Sequence, residues 1–132
     1  MSLTAAQRSR YARHLLLREV GEQGQARLCE AEVAVTQAAD EDAAAIARDY
    51  LGRAGITVAD AAPLECDVST GDEVTRLAGG PLLRDAAAAL AGAFAAVETI
   101  KQITGAGQPG QLPAEFSLGP VRPSHRAAKE AT

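Results

Sequence analysis

Residues 32–59 decide the fold class. Glu32-Val33-Ala34-Val35-Thr36 comes first, then Gln37-Ala38-Ala39-Asp40-Glu41-Asp42, an alanine-rich run to Arg53, Gly55, and Ile56-Thr57-Val58-Ala59. The opening pentapeptide places β-branched residues at alternate positions, as a short strand does. Asp40-Glu41-Asp42 then starts a helix, since acids at a helix N-terminus complement its dipole. Gly55 ends it in the manner of a C-cap glycine. Ile56–Ala59 reads as a second strand. A strand–helix–strand unit of this length matches a parallel crossover.

Working outward, Thr4-Ala5-Ala6-Gln7 has capping-box spacing and opens a helix over about 5–17, with Tyr11, Leu15 and Leu16 as its apolar face. Gly21 and Gly24 are expected to break the chain before a short helix over Gln25–Ala31 that carries Leu28. On the other side, Leu64–Val68 reads as a third strand. Thr70-Gly71-Asp72-Glu73 is a second capping-box spacing, heading a helix to Ala78. After Gly79-Gly80, Pro81 suits the first turn of the longest helix, Leu82–Thr104. Leu83, Leu90, Phe94, Val97 and Ile100 form one apolar stripe along it, while Ala86–Ala89, Ala91 and Gly92 are small enough for another helix to approach closely. Ala114–Leu118 reads as an edge strand and 119–132 as a loose tail, leaving one domain over 1–118. The expected fold is α/β, with a small parallel or mixed sheet of two to four strands and helices predominating.

Composition narrows the function. The chain has 132 residues, a net charge of −4 and four aromatic residues, and about a quarter of it is alanine. Burial stabilises by roughly 25 cal/mol per Å² of apolar surface, so an alanine-rich core is thin and a second subunit is expected to complete it. An acidic balance argues against nucleic acid or an anionic membrane as partner. No stretch is expected to reach the roughly 20 apolar residues of a membrane span. MSLTAAQRSR lacks the apolar core of a secretory signal, so a cytoplasmic setting is expected. Cys29 and Cys66 make neither a disulfide framework nor a zinc set, and no metal site is expected.

The string Arg10-Tyr11-Ala12-Arg13-His14-Leu15-Leu16-Leu17-Arg18-Glu19-Val20-Gly21, continued by Glu22-Gln23-Gly24-Gln25, resembles the opening of the bacterial ThiF/MoeB/HesA family, relatives of the ubiquitin-activating enzymes. Tyr50-Leu51-Gly52-Arg53-Ala54-Gly55-Ile56 is similar to the end of that family's first dinucleotide-type helix. Phe94-Ala95-Ala96-Val97-Glu98-Thr99-Ile100-Lys101 is similar to its late helix. The resemblance implies a shortened Rossmann-like domain. It also implies a dimer, with a second copy or with a full-length relative, and a ubiquitin-like carrier protein as a further candidate partner.

Where that family runs from its first strand into G-x-G-G-x-G, this chain has Gln37, Ala39, Asp40, Glu41 and Asp42. Glycines there let backbone amides reach nucleotide phosphates, and a side chain obstructs that approach. Two like charges 4 Å apart repel by roughly 1 kcal/mol in water and about 4 at a surface-like dielectric, so three acids facing a triphosphate disfavour it. No cofactor is therefore expected. The family's ribose aspartate, phosphate arginine and lysine, magnesium aspartate, reactive cysteine and paired CxxC motifs have no counterpart in the reading. Arg13 alone carries over, as the arginine that reaches in these dimers from one subunit to the ATP phosphates of the other. Its plain alternative is a solvated helix arginine.

Other candidates have plain readings. Cys66 lies between Glu65 and Asp67, which work against a reactive thiolate, and Cys29 lies beside Glu30. His14 and His125 stand apart, and Asp67–Gly71 is a cap and turn. The small face of the last helix serves either core packing or a dimer seam, with Leu83, Leu90, Phe94 and Val97 as interface residues. The leading expectation is a non-catalytic protein that works by association. The alternatives are residual ATP-dependent adenylyl transfer in a ubiquitin-like sulfur-carrier pathway and a small-molecule module above the strands, for which the sequence shows no convergent polar set.

Overall fold

The computed structural model describes residues 2–108, 110 and 118. The elements run α1 (Ala5–Arg10), α2 (Ala12–Leu15), α3 (Gly21–Glu30), β1 (Glu32–Val35), α4 (Glu41–Arg53), β2 (Thr57–Val58), β3 (Leu64–Cys66), α5 (Gly71–Ala78), a 3-10 turn (Pro81–Leu83) and α6 (Arg84–Thr104). The three strands form one parallel sheet in the order β2-β1-β3. Val33 and Val35 on β1 are buried, so the central strand puts its β-branched residues into the core. Helices predominate, so this is the α/β fold with a parallel crossover read from residues 32–59, and it is consistent with a shortened Rossmann-like domain.

Both capping boxes form. Thr4 and Gln7 exchange bonds across the start of α1, and Thr70 and Glu73 do so at α5. Gly79 and Gly105 close α5 and α6 in the left-handed conformation.

Several boundaries differ from the sequence reading. The first helix is not continuous to residue 17. It breaks at Tyr11, which buries its ring, stacks on His14 with centroids 5.6 Å apart and lies beneath the Arg10 guanidinium. Of the expected apolar face, Leu15 is half-buried and Leu16 is 85% exposed. Gly21 does mark a break, turning the chain at φ +57 where α3 begins, whereas Gly24 lies inside α3 and does not interrupt it. Tertiary contact compensates the low helix propensity of glycine there, since Gly24 packs near Val20 and Thr104. Pro81 opens a 3-10 turn, and the long helix starts only at Arg84.

The helix α6 is turned inside out relative to a simple amphipathic reading. Its buried residues are Ala87, Ala88, Ala91, Gly92, Ala96, Thr99 and Thr104. Gly92 meets Ala43 and Ile46 of α4, whose Ala43, Ala44 and Ala47 are buried, while Thr104 packs by Gly24 of α3 and Thr99 by Cys66; among the described residues half of the buried apolar ones are alanine. Small side chains let the two backbones come close, so packing density replaces the area that large residues would bury. Away from that face, Val97 is 42% exposed and Leu83, in the turn before the helix, is 41% exposed, with Leu90 and Phe94 half-buried, whereas Ile100 and Ile103 pack against the core. The segment Pro81–Thr104 is also long and apolar enough to cross a membrane by length and composition, contrary to the sequence expectation, although in the fold its small face packs on α4.

Leu118 donates its amide to the Leu77 carbonyl at 3.0 Å and packs against the core. The rest of the expected edge strand Ala114–Leu118, and the tail 119–132 with His125, lie outside the described residues.

Candidate functional site

Parallel α/β sheets open a crevice beyond the C-terminal ends of their strands. Here the loop after β1 is tied down on the β3 side. The Thr36 hydroxyl donates to the Cys66 carbonyl at 2.8 Å and accepts from the Val68 amide at 3.3 Å, and the Asp40 amide donates to the Ser69 carbonyl at 2.8 Å. The β2 side stays open, and a cleft of about 810 Å³ lies there. Val35, Thr36, Gln37 and Ala39 line it from the end of β1 and its loop. Glu41, Ala44 and Arg48 line it from α4, at spacings of three and four that put them on one helix face. Val58, Ala59 and Asp60 complete it from the end of β2.

The acids at the start of α4 have separate tasks. Asp40 is buried and caps the helix, its carboxylate accepting from the Ala43 amide at 3.1 Å. It is also paired with Arg84, whose second nitrogen reaches Asp42 at 3.2 Å. Burial alone would raise the Asp40 carboxyl, but the Ala43 amide and the Arg84 guanidinium outweigh it and hold it below its ordinary value of 3.8. Of the three acids expected to crowd this ledge, only Glu41 lines the cleft; Asp40 and Asp42 turn to Arg84. The Asp40 carboxylate occupies the helix-terminal amide that a phosphate oxygen would need. Gln37 and Ala39 both line the cleft, so side chains stand where the resemblance would have glycines.

Two residues of the cleft, Arg48 and Asp60, were not singled out in the sequence. Asp60 follows the second strand directly, and Arg48 lies two helical turns after Glu41; both relations were legible as position but not as convergence. The side chains of Gln37, Glu41, Arg48 and Asp60 make no hydrogen bond or ion pair among the described residues.

Arg13 is on α2, exposed, outside the cleft lining and without an ion-pair partner among the described residues. The arm that carries it is held by a buried glutamine. Gln25 donates to the Ala54 carbonyl at 2.8 Å, meets His14 Nδ1 at 2.9 Å and donates to Cys29 Sγ at 3.5 Å. Gly55 allows this, because at φ +100 it turns α4 into β2, and a Cβ there would lie 3.0 Å from Gln25 Nε2 and 3.0 Å from the Tyr11 hydroxyl.

Cys66 is fully buried, and burial pushes its thiol up; the Thr99 side chain opposes this and Asp67 adds to it. That environment makes it a packing residue. Among the described residues, no three metal-ligating side chains gather. Of the expected interface residues, Val97 on α6 and Leu83 in the turn before it are exposed, and Leu90 and Phe94 on α6 are half-buried.

Compared with protein families, curated proteins and solved structures, the chain matches none.

Proposed function

We propose that this chain is a non-catalytic protein of ThiF/MoeB-like ancestry that works by association with a full-length relative and lends Arg13 to that partner's ATP site. The observation that carries the proposal is the orientation of α6. Its small residues are spent inside the fold, while Val97, with Leu83 of the preceding turn, is left exposed beside half-buried Leu90 and Phe94. A thin alanine core gains from a second molecule laid over such a stripe.

A complete relative suits the arginine better than a second copy of this chain does. Here the Asp40 carboxylate already accepts from the first amides of α4, so an Arg13 offered to another copy would meet a filled position. A guanidinium supplied across an interface acts on developing phosphate charge only where a nucleotide sits.

The test mixes the purified chain with a full-length ThiF/MoeB-like enzyme. Light scattering should give a mixed complex, and adenylation should rise. Arg13→Ala should abolish the rise and keep the complex, whereas Val97→Asp should lose both. No change in rate, a self-dimer that does not take up the relative, or ATP turnover by the chain unaided would each refute the proposal. The last outcome would establish residual adenylyl transfer in its place.

A further inference from the structure

We infer that the cleft between α4 and the end of β2 binds a basic amino-acid zwitterion, a small molecule with one carboxylate and two cationic groups. The cleft is about 810 Å³, within the range of small-molecule sites. What distinguishes it is how charge is distributed over α4. Asp40 and Asp42 are taken by Arg84, and Asp49 by Arg53. The two charged residues of α4 that face the cleft, Glu41 and Arg48, have no partner among the described residues, and neither does Asp60 across from them. Two carboxylates and one guanidinium therefore stand unspent around one space, with the Gln37 amide beside them.

The class of ligand follows from that set. Arg48 offers a fork for a carboxylate, and Glu41 and Asp60 offer acceptors for two cationic groups. A ligand with one negative and two positive groups balances the site charge for charge. Its aliphatic stem would lie along Val35, Ala44 and Val58. Glu41 and Arg48 are about 10 Å apart along the helix axis, a gap their own side chains partly close. A nucleotide is disfavoured, because a single cation faces two acids and the helix-terminal amide is already used by Asp40. A simple diamine is disfavoured by Arg48, which would have no anion to receive it.

The probes are L-lysine and L-arginine, titrated into the isotope-labelled full chain by amide NMR and calorimetry, with cadaverine and ATP as comparisons. Lysine or arginine should shift the amides of residues 36–41 and 58–60. Cadaverine, which lacks the carboxylate, should bind at least about tenfold more weakly. Arg48→Ala should erase that difference, and Glu41→Gln combined with Asp60→Asn should abolish binding. These side chains are exposed, so circular dichroism should be unchanged. Val97→Asp should leave the titration as it is, which separates this inference from the association reading. Cadaverine equal to lysine, ATP shifting these amides while both amino acids are silent, or silence from both amino acids at millimolar concentration would each overturn it.

Discussion

Gly92 of α6 lies against the backbone of Ala43 on α4, so close that a Cβ at residue 92 would sit 2.2 Å from the Ala43 carbonyl oxygen and 2.8 Å from Ile46 Cβ. Neither contact can be relieved by rotating a flexible side chain. Gly92→Ala should force the helices apart and loosen every alanine pair along the seam. Overpacking of this kind costs about 1–3 kcal/mol, and backbone contact places this site at the upper end. The midpoint of thermal unfolding should fall by roughly 10 °C. An unchanged midpoint would mean that α4 and α6 do not cross this closely.

Asp40 links stability to pH. Its carboxyl is held below 3.8 in the folded chain, so the folded state keeps the charge at pH values where the unfolded chain takes up a proton. The contribution is fully present above the unfolded value and is lost as pH falls through the folded one. Glu98 adds to the effect with the same sign, because Lys101 and the Gly110 amide lower it. Resistance to denaturant should therefore fall below about pH 4, with unfolding midpoints moving to lower denaturant. Asn caps a helix about as well as Asp but cannot pair with Arg84. Asp40→Asn should cost about 1–2 kcal/mol at neutral pH and flatten the acid limb. A full acid limb in that variant would assign the dependence to other groups.

Gln25 is fully buried and joins the N-terminal arm to the turn before β2 through His14 and the Ala54 carbonyl. Gln25→Leu keeps most of the volume and leaves that carbonyl without its donor. A buried polar group left unpaired costs about 1–3 kcal/mol. Hydrogen exchange should accelerate first over α1 and α2, which depend on the arm, and only later over α4. Uniform acceleration across the chain would show that Gln25 acts on the core as a whole.

The strand–helix–strand unit was legible because its signals are local. Alternating valines, an acidic helix start and a glycine stop specify backbone states that need no distant partner. The capping boxes at Thr4 and Thr70 were legible for the same reason. The break at Tyr11 was not, because it depends on a buried ring packing against His14, which Gln25 meets in turn. Gly24 read as a breaker because glycine has low helix propensity, and that is overruled by packing that the sequence does not display.

By itself, the sequence determined a parallel α/β unit, the ends of most helices and the presence of two periodic stripes on α6, one small and one large. Tertiary structure alone decided which stripe faces inward. Periodicity defines the faces of a helix but carries no sign, and close approach of alanine and glycine backbones took the inside from leucine, phenylalanine and valine. It also decided which acids near residue 40 are spent on Arg84 and which remain with Arg48 around the cleft. Charge pairing depends on where side chains meet in space, and the partners here are far apart along the chain.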